Sequence, residues 1–185
     1  MMLFLVLAPF GVLAGLMLVT TPVVSLLAAG AVAVGTIGYD LFRGRSIKAL
    51  AAGAAAMFVT LGLYLAVSGR HMGDHELRLT IDLGVLAIAL CSIALRTPFT
   101  LQYAREVVSA DVAHAPAFMT TNYILSWAWT GAFVLMLAAD ILMLYWPSLP
   151  LWVGVGIAFA ARNCAIYFTN RYSAHRRALL AQQAS

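Results

Sequence analysis

Charged side chains are the scarcest class in this chain. They make up 10% of its 185 residues, against 63% hydrophobic, and the mean hydropathy is +0.93. Soluble domains carry about 25% charged residues, so a water-soluble fold of this length would lack the polar surface to cover itself. The formal net charge is only +4. Its basic residues stand at the ends of apolar runs, where orientation signals and anionic-lipid contacts belong, which speaks against nucleic acid as a partner. Cysteine is nearly absent: Cys91 and Cys164 both fall inside apolar runs, and neither is placed for a secreted-type disulfide. The opening Met1-Met2-Leu3-Phe4-Leu5 has no basic n-region, so it reads as an uncleaved first span. Catalytic signatures are missing as well. There is no Gly-rich phosphate loop after a strand, no GxSxG elbow, and no serine in company with a histidine and a carboxylate. No catalytic residue and no cofactor is expected.

What the chain does have is long apolar runs. About six can be drawn at the ~20 residues that a helix needs to cross the hydrocarbon: Leu3–Thr20, Val23–Tyr39, Ile47–Val67, Leu79–Leu95, Thr121–Tyr145 and Leu151–Phe168. Backbone groups inside lipid must bond within their own segment, so these are helices. The fold class is an all-α, polytopic membrane helix bundle, one domain over 1–170 with a basic cytoplasmic tail over 171–185. Only the Thr20-Thr21-Pro22 turn divides the first two runs, and five spans is the alternative count. Loop charges favour six. Arg43, Arg45, Lys48, Arg96, Arg105, Arg171, Arg176 and Arg177 then share one side, while Arg70 and Arg78 take the other beside Asp74 and Glu76. That asymmetry puts both termini in the cytoplasm. Small residues at Gly11/Gly15, Ala31/Gly35 and Ala51–Ala56 suit close helix approach, with packing inside the protomer the expected use and a homo-oligomer the other.

The segment Arg96–Glu106 joins spans four and five. Thr97 suits an N-cap and Pro98 a first helical position. Phe99, Tyr103 and Val107 then recur every fourth residue, with Gln102, Arg105 and Glu106 towards the other side. This predicts a short interfacial helix, rings in the headgroups and charges in water, offering Arg96, Pro98, Phe99, Tyr103, Arg105 and Glu106 to lipid or a protein partner. A solvated linker is the plain alternative.

Polar residues within the runs are functional candidates. Asp40 reads as an interfacial charge, and Asp82 lies near one turn inside the fourth span. Asp140 and Arg162 lie roughly 9 and 16 Å below the outer ends of their spans at ~1.5 Å per residue. Their side chains lean towards each other, which predicts an ion pair with Asn163 or Tyr123 as hydrogen-bonding neighbours. Its simplest role is structural; a proton or ion path through Asp82, Asp140 and Arg162 would make the chain a small oligomeric transporter or channel. His71-Met-Gly-Asp74-His75-Glu76 has half of a metal site's ligands, so a polar outer loop is the better reading and a metalloenzyme the lesser one. Trp146 and Trp152 suit an outer aromatic belt.

Several positions in order carry a family likeness: Phe4-Leu5 with Pro9, Tyr39 before Arg43-Gly44-Arg45, Arg78-Leu79-Thr80, Arg96-Thr97-Pro98-Phe99, Arg105-Glu106, and Trp129, Phe133 and Asp140. This layout resembles the intracellular septation protein A family of bacterial inner-membrane proteins. Asp140 stands where that family leads one to expect Asn, and the linker before span five is longer. The resemblance implies a role in cell-envelope maintenance and septum formation, through contacts with division or wall-synthesis membrane proteins, and implies no catalytic residue.

Overall fold

The computed structural model describes the backbone of residues 2–146 and 148–183, and side-chain surroundings for 8–109, 111–146, 148–150, 152–176 and 178. The side chains of Phe4, Leu5 and Arg177, used in the sequence reading, lie outside these. Described elements are α1 (Met2–Leu16), α2 (Pro22–Phe42), α3 (Ala49–Ser68), α4 (Asp74–Ala94), α5 (Phe99–Ala104) with a 3-10 turn (Arg105–Val107), α6 (Ala110–Ala113), α7 (Pro116–Tyr145) and α8 (Leu151–Gln183). No strand occurs among the described residues. α2, α3, α4 and α7 are each long and apolar enough to cross a membrane. The chain is an all-α, multi-pass membrane protein. α1, with 15 residues, and α8, whose 33 residues run on from the sixth apolar run through the basic tail, are not among these four.

Polarity is arranged for lipid. Leu63, Leu83, Leu135 and Phe159 are half or more exposed, whereas Ser25, Ser92, Asn122, Ser126 and Thr130 are buried. Without a hydrophobic drive between helices in a bilayer, close packing and internal hydrogen bonds take over.

Contacts within the chain form two compact units, Met1–Ile88 and Ala89–Ser185. In the first, α2 starts on Pro22, whose missing N–H costs nothing at that position, with Thr21 Oγ1 accepting from the Val24 N–H at 3.4 Å. α2 and α3 then seat reciprocally through glycine. A Cβ on Gly30 would lie 2.8 Å from Val59 Cγ2, and one on Gly62 would lie 2.9 Å from Leu27 Cδ2. Phe10 of α1 meets Phe58 of α3 edge-on at 5.2 Å. The expected small-residue seams at Gly11/Gly15 and Gly35 are not used in this way: a Cβ on any of the three would meet nothing within 4 Å. Spacing alone does not fix which face of a helix is turned inward, and Gly30 and Gly62 took the inner positions.

The α2–α3 turn is closed by charge. Gly44 in the left-handed region lets the Arg45 N–H reach Asp40 O at 2.9 Å and its own N–H reach Leu41 O at 2.9 Å, a Schellman ending. The Asp40 carboxylate accepts from Lys48 Nζ at 2.6 Å and Arg45 Nη1 at 3.3 Å. Lys48 is 4% exposed, so its ammonium has left water and depends on that carboxylate and the Ser46 carbonyl. Breaking such a pair on one side is far worse than removing both charges.

In the second unit, α7 and α8 run antiparallel. Trp129 Nε1 donates to Thr169 Oγ1 at 3.1 Å, Arg176 Nε donates to Thr121 Oγ1 at 3.3 Å, and Met143 packs on Gly154. Ala132, Ala161 and Ala165 form the core between them, flanked by Trp129 and Met136.

The Asp40 lock yields a stability test. Asp40→Asn should lower the apparent Tm in detergent by the equivalent of about 3 kcal/mol. The Asp40→Asn, Lys48→Met double variant should recover much of that loss; a double variant as unstable as the single would refute a buried charge pair here.

Candidate functional site

Four of the six buried polar side chains among the described residues, Ser92 of α4 and Asn122, Ser126 and Thr130 of α7, belong to the two helices that the α5 segment joins. α4 ends in the same motif as α2: Arg96 N–H donates to Ile93 O and Thr97 N–H to Ser92 O, both at 3.0 Å. Here the left-handed position is held by arginine, φ 58°, where glycine is the ordinary occupant. An L side chain there costs roughly 1–2 kcal/mol. The strained turn reverses the chain within a few residues and leaves Arg96 exposed.

α5 begins one residue later than expected. Pro98 is its cap position, and Thr97 makes no capping bond. A helix start leaves orphan N–H groups, which need partners wherever water is excluded. Two serines from other helices supply them. Ser92 Oγ of α4 accepts from the Phe99 N–H at 3.2 Å, and Ser126 Oγ of α7 accepts from the Thr100 N–H at 3.4 Å. Thr100 Oγ1 donates to the Asn122 carbonyl at 2.7 Å and lies 2.7 Å from Ser126 Oγ. With its one proton committed to Asn122, Thr100 must accept from Ser126. Ser126 is fully buried, and Ser92 and Asn122 are each 2% exposed.

This anchoring corrects the expected orientation. Pro98 and Phe99 face inward, not towards headgroups or a partner: Phe99 is 4% exposed and its ring lies 6.2 Å from Phe133, itself 6.0 Å from Trp129. Tyr103 and Glu106 are half-buried, while Arg105 is exposed and Val107 is 68% exposed. The helix tightens to 3-10 winding at Arg105, which breaks the fourth-residue register that placed Val107 beside Phe99. Of the six residues expected on the contact surface, Arg96 and Arg105 are the exposed ones.

The expected Asp140–Arg162 pair is not formed. The reason is azimuth. Ala161 and Ala165 face α7, and each residue turns roughly 100° around a helix, so Arg162 points off the interface. It is exposed, with its guanidinium 5.6 Å from the Phe159 ring centroid. Asn163 is also exposed and donates to Phe159 O at 2.7 Å. Asp140 and Tyr123 in α7, and Asp82 in α4, are half-buried. His71 and Asp74 are exposed and His75 half-buried; among the described residues no three His, Cys, Asp or Glu side chains are grouped to hold a metal. Cys91 and Cys164 are exposed free thiols.

The Asp40–Lys48 contact is the feature that the sequence reading missed. Opposite charges eight residues apart across a tight turn were the available signal, but nothing in the sequence alone says that Lys48 turns inward.

No family model, curated protein or solved structure matches the chain.

Two substitutions test that geometry. Ser126→Ala should cost about 1–3 kcal/mol, since it strands the buried Thr100 N–H and removes the donor to the Thr100 hydroxyl. Thr60→Val, which removes an exposed hydroxyl bonded only within its own helix, should be near neutral in the same Tm assay. Arg96→Gly should instead raise the Tm, by relieving roughly 1 kcal/mol of backbone strain.

Proposed function

We propose that this chain is a multi-pass protein of the bacterial inner membrane that serves the cell envelope by contact, with lipid and with division or wall-synthesis proteins, and carries out no reaction of its own. The reading takes six spans with both termini in the cytoplasm, and a role like that of the septation protein A family, which its sequence resembles. The observation that carries it is the anchored α5 segment. Its first amides are held by Ser92 and Ser126, while Arg96, Arg105 and Val107 stand exposed on it. A surface fixed beforehand loses little freedom when a partner arrives, and basic and apolar groups together suit an anionic headgroup layer or the polar rim of a protein contact.

The alternative, a transporter or channel, needs Asp82, Asp140 and Arg162 to share one path. Arg162 lies on the exposed side of α8, which supports that reading less.

Crosslinking and pull-down from native membranes tests the proposal, comparing wild type with an Arg96→Gly, Arg105→Ala, Val107→Ser variant. These positions are exposed, so the fold should persist. Envelope proteins enriched by wild type and lost from the variant are the expected result; equal recovery from both would refute α5 as the contact surface. Topology is checked separately with a membrane-impermeant maleimide in a cysteine-free background. Ser46→Cys should label only after the cell is opened, and His71→Cys in intact spheroplasts.

A further inference from the structure

α7 and α8 pack on each other through Ala132, Ala161 and Ala165. They leave an open apolar groove of about 500 Å³, lined by Gly131 and Leu135 from α7 and by Ala160, Ala161, Cys164 and Phe168 from α8. Its α8 wall from Ile157 to Phe168 is roughly 16 Å long at ~1.5 Å per residue, near the ~15 Å of one leaflet's hydrocarbon.

The α8 face that lines the groove continues past its end in three- and four-residue steps: Phe168, then Arg171 and Tyr172, then His175. Tyr172 stacks on Phe168 at 5.5 Å, continuing the wall, while Arg171 and His175 are exposed. They lie roughly 5 and 10 Å beyond Phe168 along the axis. Arg176 is held beside them by Thr121. An apolar slot one leaflet long, ending in the Arg171 guanidinium and the His175 imidazole at headgroup level, suits the shape and charge of an anionic phospholipid.

We infer that this groove binds one acyl chain of an anionic phospholipid whose phosphate is met by Arg171 and His175. A second copy of the chain fits less well. α8 has no acidic residue and Asp140 is the one charge on α7, so copies meeting in parallel would set arginine against arginine at one level. The inference deepens the proposed lipid contact and rests on the six-span reading, which makes α8 a membrane span and sets Arg171 at the cytoplasmic headgroups. It does not depend on any partner protein.

The test uses the full chain in detergent and native mass spectrometry with dioleoyl phosphatidylglycerol or phosphatidylcholine. Wild type should retain phosphatidylglycerol preferentially, and removing the Arg171 charge should lower that preference roughly five-fold. Arg171→Gln with His175→Gln should abolish it, and Arg171→Lys should largely keep it. Independently, in a Cys91→Ser background, phosphatidylglycerol should slow maleimide labelling of Cys164 inside the groove, whereas Arg171→Gln, His175→Gln should label at the lipid-free rate. Equal retention of the two lipids, or a preference unchanged by Arg171→Gln with His175→Gln, would overturn the inference. So would Cys164 protection that appears without lipid and tracks a dimer.

Discussion

A backbone amide that loses water must find another acceptor, and the strictness of that rule in a dry interior shapes the second half of this molecule. No helix satisfies the amides of its own first turn, and α5 has no side-chain cap at Pro98. Its amides at Phe99 and Thr100 are taken by Ser92 from the helix before it and Ser126 from the helix after it. Those two bonds make a six-residue helix a fixed bracket. They turn Phe99 inward onto Phe133 and leave Arg96 and Arg105 outward. The hydroxyl chain from Ser126 through Thr100 to the Asn122 carbonyl completes the bonding without a spare proton.

The two Schellman turns show how backbone and charge are reconciled at helix ends. At Gly44 the chain takes the unstrained residue and supplies charge from neighbours, with Asp40 gathering Arg45 and Lys48. At Arg96 it tolerates strain in order to keep a cation at the turn itself. Strained non-glycine positions concentrate where the side chain is needed for something other than folding. We therefore propose the anchored segment as the contact surface.

The sequence reading recovered the helices well, because long apolar runs in a charge-poor chain have no stable alternative in lipid. Pro22 and Pro116 mark helix starts, and Gly44 and Gly69 mark ends, as local chemistry dictates. What failed was azimuth. Phe99 was assigned outward from its spacing with Tyr103 and Val107, yet its direction is set by serines 7 and 26 residues from their amide partners. Depth and lean pair Arg162 with Asp140, but it sits roughly 100° around the helix from the face that Ala161 presents to α7. Lys48 was counted only as an orientation charge, and its burial follows from Asp40 reaching back across the turn. In each case the missing quantity was rotation about a helix axis, which small, uniformly apolar neighbours leave unmarked in the sequence.

Residue-resolved amide hydrogen exchange at Phe99 and Thr100, in the full chain in nanodiscs, tests the bracket most directly. Both amides should be protected as strongly as those in the middle of α7, and Ser92→Ala should release Phe99 while the α7 amides stay protected. If both amides in the wild type exchange as fast as those of the open 69–73 loop, α5 is not anchored and the contact surface built on it does not exist.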